Sequence, residues 1–275
     1  VRKHCLIYST TGFTLVELTI VLFVVALLLG GMMSTLSAQV GQQKIQETQR
    51  LLDEARDALT GYAATNGRLP CPASPLSNGV ESFCTNASGI CVSTTVTPQA
   101  HGNCSNFYNG MLPSVTLSLA GVDSNGYLTD GWGLSSNRVR YAVHSSTING
   151  ISNPFTVTDG AKTATMPSIA SFLASSPLLS VCSTATGIIN PGANTAKCPA
   201  ASTLTNSAVA VIFSLGKNAP TGGTGADEAA NINNDPVFVS HTPTPASSGN
   251  EFDDLVTWLS PNILFNRMIA AGRLP

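Results

Sequence analysis

The chain has 275 residues, enough for one large domain or two ordinary ones with a full core. Only 10% of them are charged and the net charge is −2, which leaves no field for nucleic acid or anionic lipid. A surface of Ser, Thr, Asn and Gly in place of Lys and Glu suits an exported protein or one packed into an assembly.

Arg2, Lys3 and His4 come first, then the polar "YSTTG", then an apolar run from Phe13 to about Met33. The run is long enough to span or enter a bilayer, and the positive-inside rule keeps its basic flank cytoplasmic. No residue from Leu18 to Gln43 is charged, yet Glu17 stands at the mouth of the run. A carboxylate near a bilayer core costs roughly 2.5–3.5 kcal/mol. A secretory signal cleaved near Thr35-Leu36-Ser37 and a plain anchor both leave Glu17 unexplained.

The helical pattern continues beyond the run. Ile45, Leu52 and Leu59 recur every seven residues, Ala55 and Tyr62 fill the intervals, and charged residues take the other faces. Asn66-Gly67 and then Pro70 stop it. The whole predicts a rod of about 75–80 Å, apolar in its first half and amphipathic in its second. A coiled-coil stalk is the alternative, with three heptads to support it. Gly30-Gly31 weakens the helix at the end of its apolar half.

"G-F-T-L-V-E", Gly12 to Glu17, followed by about twenty apolar residues, resembles the prepilin cleavage and methylation motif of type IV pilins and type II secretion pseudopilins. The resemblance implies a leader of residues 1–12, cut between Gly12 and Phe13 by a membrane peptidase that then methylates Phe13. It implies a transmembrane and assembly helix over 13–66 and an extracytoplasmic globular domain over 67–275. Glu17 falls at the family's acidic position, where a carboxylate desolvated in a filament would pair with a neighbour's N-terminal amine. Implied partners are other pilin or pseudopilin subunits, the prepilin peptidase, and indirectly a platform protein and an assembly ATPase. Implied location is the bacterial inner membrane, single-pass with the C-terminal domain in the periplasm, and then a periplasmic or extracellular filament. The competing reading is a membrane-anchored binding module that never polymerises.

Beyond Pro70 short apolar stretches alternate with Gly, Pro, Asn and Ser. "GMLPSVTLSLAGV", "RVRYAVHSS", "PFTVT", "AVAVIFSLG" and "PVFVSHT" read as strands. "MPSIASFLASSPLLSVC" reads as a short helix broken at Pro177, and "DDLVTWLS" as another ended before Pro261. The expected class is α+β, one long N-terminal helix followed by an antiparallel sheet domain with long loops. Cys5 precedes the apolar run; Cys71, Cys84, Cys91, Cys104, Cys182 and Cys198 follow it, an even set that fits an oxidising compartment. Proximity favours Cys84 with Cys91 and Cys182 with Cys198, leaving Cys71 with Cys104.

Three further segments extend the resemblance. "DGWGLSSNRVRYAV", Asp130 to Val143, resembles the D-x-W-G turn and following strand of major pseudopilins. "FSLGKNAPTGGTGADEAANI", Phe213 to Ile232, is similar to their acidic loop, which can bind calcium. Asp227, Glu228 and Asp235 are the hard-oxygen candidates, although Lys217-Asn218 fall where the family offers an acidic residue. A solvated Gly-rich loop is the alternative. The tail "FDDLVTWLSPNILFNRMIAAGRLP" resembles those of larger prepilin-type proteins. No G-x-S-x-G, H-E-x-x-H or P-loop occurs, and His101, His144 and His241 have no partner at recognisable spacing, so no enzyme is expected.

Overall fold

The computed structural model describes residues 12, 14–165, 178–221, 223 and 225–274, with the side chains of 29–38 left out. The leader, Cys5, Phe13 and most of the helix expected around Pro177 lie outside the described residues. The chain forms two compact units, Val1–Lys44 and Ile45–Pro275.

Helix α1 runs unbroken over Leu15–Asn66, through Gly30 and Gly31. In the first unit the described apolar side chains, Leu15 to Leu28, are exposed on every face. Among the described residues no helix is long and apolar enough to cross a membrane.

In the second unit the helical periodicity becomes packing. Leu52, Ala55, Leu59 and Ala63 are buried along one stripe, while Ile45 and Tyr62 are half-buried. On the outer face Arg50 pairs with Glu47 at 2.7 Å and Glu54 at 3.1 Å, exposed contacts that solvent screens and that add little to stability. Gly67 stops the helix in the left-handed conformation (φ +70°), and its N–H donates to the Ala63 carbonyl at 2.9 Å.

The strands are β1 (Phe83–Cys84), β2 (Thr94–Thr95), β3 (Gly110–Met111), β4 (Arg140–Val143), β5 (Thr147–Ile148) and β6 (Ile151–Ser152). After helix α2 (Gly160–Thr165) come β7 (Leu179–Cys182), β8 (Thr203–Ala208) and β9 (Ala210–Ser214). Helix α3 (Ala226–Ile232), β10 (Val237–Val239), β11 (Leu255–Leu259) and helix α4 (Pro261–Ala270) complete the fold. A four-stranded antiparallel sheet has the order β11-β9-β4-β3, and a three-stranded sheet the order β10-β7-β8. The expected α+β class with antiparallel pairing is observed, except that β10 and β7 run parallel.

Alternation on β4 and β9 separates two cores. Tyr141, Val143, Ala210 and Ile212 join the α1 stripe with Leu264, Phe265 and Met268 of α4. Ala142, Val211 and Phe213 point the other way, onto Leu179, Val181 and Phe238 of the second sheet. Strand β9 is therefore buried from end to end, which explains the uninterrupted apolar run "AVAVIF".

Four sequence readings are corrected. Of "GMLPSVTLSLAGV" only Gly110–Met111 is strand, and "PFTVT" forms turns that lead into α2. Leu179–Cys182, expected at the end of a helix, is strand β7. "DDLVTWLS" is not a helix ended by Pro261: Leu255–Leu259 is strand β11, paired with β9 along its length. Pro261 instead opens α4, because Ser260 caps it by accepting from the Ile263 N–H at 3.4 Å and proline's missing N–H costs nothing at a first helical position.

All three disulfides follow sequence proximity: Cys71–Cys104, Cys84–Cys91 and Cys182–Cys198, with Cα separations of 5.3, 5.3 and 5.6 Å. A closed loop of the third kind contributes about 3 kcal/mol in the chain-entropy account. His144, just past β4, is 4% exposed, and burial lowers its pKa from 6.5 to about 4. Its contribution to stability is complete above the unfolded value and is lost as pH falls through about 4. Thermal melts from pH 7 to pH 4 should therefore show a decline that is shallower in His144→Gln.

Candidate functional site

Two groups of residues carry chemistry the core does not need. The first is the head of α1. Thr14 is the residue before the helix and Glu17 is three residues on, which is the spacing of a capping box. The Glu17 carboxylate accepts from the Thr14 N–H and hydroxyl, both at 2.9 Å, and the Glu17 N–H donates to the Thr14 hydroxyl at 3.3 Å. Sequence reasoning missed this pair, although T-x-x-E is visible in "TLVE". The exposed carboxylate, the only ionised side chain between Gly12 and Gln43, thus has a partner inside its own chain.

The second group is built around the acidic loop. Asp130 of "DGWG" is buried; its carboxylate accepts from the Trp132 N–H at 2.9 Å, from Asn137 at 3.1 Å and from the Ser214 hydroxyl at 2.5 Å. Burial raises its pKa against these bonds. Asn137 also donates to the Gly216 carbonyl, and the Gly216 N–H donates to Ser214 at 3.1 Å. "DGWG" and "FSLG", far apart in the chain, are therefore one buried knot, which joins α1 through the Gly131 N–H on Thr48 at 3.0 Å.

Beyond the knot the chain turns at Gly216 (φ +65°), where a side chain would collide with Asp253. Asp253 accepts from the N–H groups of Lys217 at 3.1 Å and Asn218 at 3.3 Å. Its other carboxylate oxygen is buried without a partner. Glu228 of α3 accepts from the Asn218 amide at 2.9 Å and the Asp253 N–H at 3.0 Å. Asp254 accepts from Asn231 at 2.7 Å.

One oxygen from each of Glu228, Asp253 and Asp254 lies within 4.8 Å of the others. Burial first, and Glu228 second, push Asp253 up to about 6. Burial, with Glu228 and Asp253 adding to it, pushes Asp254 up to about 8. Among the described residues, these three carboxylates lie close enough together to offer hard oxygens to one cation such as calcium.

The set differs from Asp227, Glu228 and Asp235. Asp227 faces away, accepting from the Ala185 N–H, from Thr184 at 3.2 Å and from Asn250 at 2.8 Å, with His241 Nε2 at 3.0 Å. Burial works to raise its pKa, but these bonds outweigh it and lower the value. Asp235 accepts from Gly192, Asn233 and Val237 at 2.7, 2.9 and 2.8 Å. Both carboxylates are occupied with holding loops. Asp253 and Asp254 escape sequence reasoning because "FDD" reads as a helix start, and only the β11–β9 register brings it beside the Gly216 turn.

No protein-family profile, curated protein or solved structure matches the chain.

Asp254 gives a signed expectation. Its folded pKa of about 8 stands above the ordinary aspartate value of 3.8, so stability is complete below the latter and is lost as pH rises through the former. With chelator present, Asp254→Asn should melt a few degrees above wild type at pH 8.5, and the difference should shrink as pH falls and vanish below about 3.8, checked by calorimetry.

Proposed function

We propose that the chain is a structural subunit of a type IV pilus-like filament or type II secretion pseudopilus, a minor or specialised one, assembled through α1. The observation that carries the reading is the first part of that helix. Leu15, Phe23 and Leu27 are 82%, 65% and 61% exposed, and their apolar neighbours cover the remaining faces. A helix apolar all round is stable only when lipid or protein covers it. One such helix per subunit, standing before a disulfide-bonded α+β domain, supports inner-membrane storage followed by lateral packing of subunits in a filament. In this reading the prepilin peptidase cuts after Gly12, Phe13 becomes the methylated first residue, and the ATPase and platform protein drive assembly.

The capping box sharpens the role of Glu17. In the free chain the carboxylate is satisfied by Thr14, so it enters the membrane boundary already hydrogen-bonded. On docking it exchanges or shares that partner with a neighbour's amine, which fixes axial register. The same capping box equally suits a membrane-anchored binding module that does not polymerise, and this second reading rests on that observation.

Mass spectrometry of the native protein should find methylated Phe13 at the N-terminus; an intact leader, or a start well beyond it, would overturn the filament reading. Glu17→Ala and Thr14→Ala separate the two roles of the helix head. Both remove the capping box and so weaken the head of the helix. Only Glu17→Ala removes the charge, so sheared filaments should contain Thr14→Ala subunits near the wild-type level and Glu17→Ala subunits at least tenfold fewer. Equal loss in the two variants would reduce Glu17 to a helix cap.

A further inference from the structure

Among the described residues, no acidic side chain compensates the charge of Arg140. It lies on β4, directly opposite Met111 of β3 on one side and Phe213 of β9 on the other. The residue is half-buried. Its Nε is shut off from solvent with no hydrogen-bond partner. Its contact is Nη1 donating to Asn109 Oδ1 at 3.4 Å, the outer limit of a hydrogen bond.

All 15 acidic side chains of the sequence lie among the described residues, and none is ion-paired with Arg140. The neighbouring Arg138 has what Arg140 lacks: Asp123 at 2.8 Å and the Tyr127 ring at 4.3 Å. Burial, and then repulsion from Arg138, lower the Arg140 pKa. A desolvated cation without a counterion is costly, and the chain pairs its other buried guanidinium, Arg68, with Glu81.

We propose that Arg140 and Asn109 form a binding site for a carboxylate supplied from outside the chain. Asn109 is held in place at both ends, since its amide nitrogen donates to the Ile232 carbonyl at 2.9 Å and its backbone N–H donates to Asn106 at 2.8 Å. The Oδ1 atom is thereby aimed at the guanidinium and orients it. One uncompensated positive charge matches a monoanion. A phosphate dianion would ask for a second free cation, and Arg138 is already neutralised by Asp123. The flat guanidinium can give a carboxylate two parallel N–H···O bonds. The assignment stands whether or not the chain polymerises, because the site belongs to the sheet and not to α1.

The test uses the full chain in detergent micelles with ¹⁵N-labelled arginine, at constant ionic strength set with chloride. Acetate serves as a free carboxylate, N-acetyl-glutamate amide as a side-chain carboxylate, and inorganic phosphate as the contrasting anion. Acetate at about tenfold its Kd should move the Arg140 Nε resonance and raise the melting temperature by about 2–4 °C. In Arg140→Gln the melting shift should disappear. Tighter binding of the glutamate derivative than of acetate would place the natural carboxylate on a protein, and the reverse on a free acid. In buffer without carboxylate, Arg140→Met should melt at or above the wild-type temperature, because the unpaired charge is gone. An Arg140 resonance unmoved by either carboxylate, an equal response in Arg140→Gln, or a Met variant melting far below wild type would overturn the proposal. Phosphate binding more tightly than both carboxylates would overturn the carboxylate assignment.

Discussion

The buried pair of Arg68 and Glu81 is the joint on which the larger unit turns. Arg68 follows the glycine that stops α1, and its guanidinium meets the Glu81 carboxylate through two hydrogen bonds of 2.7 and 2.6 Å. The same carboxylate accepts from the Cys71 N–H at 3.1 Å and the Tyr62 hydroxyl at 3.3 Å. Helix end, disulfide loop and the return of the chain at residue 81 are thus bound to one pair of opposite charges. Desolvating both ions is costly, and the bidentate geometry and added donors offset it only while both partners are present. Removing either one would leave a lone charge beneath the helix. The Cys71–Cys104 disulfide closes the same region covalently.

A second polar centre does for the sheet what that pair does for the helix end. Asp130, Asn137 and Ser214 form a satisfied buried network, so the turn before β4 and the end of β9 share one set of hydrogen bonds. The acidic triad sits just beyond, where Gly216 lets the backbone pass close to Asp253. Its upward pKa shifts, at Asp253 and Asp254, follow first from burial and then from the neighbouring carboxylates. A turn held rigidly on one side and three carboxylates on the other is an arrangement that a proton or a cation can relax.

Much of this is legible in the residues. The amphipathic half of α1 announces itself by its seven-residue repeat, and Asn66-Gly67 marks its end because glycine takes the left-handed conformation of a helix stop without a Cβ clash. The cysteine pairing follows proximity. What stays hidden in the sequence is long-range. "LVTWL" alternates as a strand, but five residues before a proline also fit a helix, and the β9 partner that decides between them lies about forty residues away in the chain. The acidic cluster is long-range in the same way: the family resemblance names Asp227, Glu228 and Asp235, and tertiary register brings Asp253 and Asp254 beside Glu228. The capping box, by contrast, is local and readable, and it is obscured by the stronger signal of a carboxylate in an apolar run.

The place of β9 in the sheet has a consequence for how the protein is made. Strand β4 lies between β3 and β9, and β9 lies between β4 and β11, so the central strand is encoded near residue 210 and its outer partner near residue 257. Contacts so far apart in the chain are slow to form, since the loop entropy between them must be overcome first. A growing chain therefore cannot close this sheet until nearly all of it has been synthesised. Until then the segment that will carry the domain stays open and threadable, while α1, which needs only its own neighbours, can form at once.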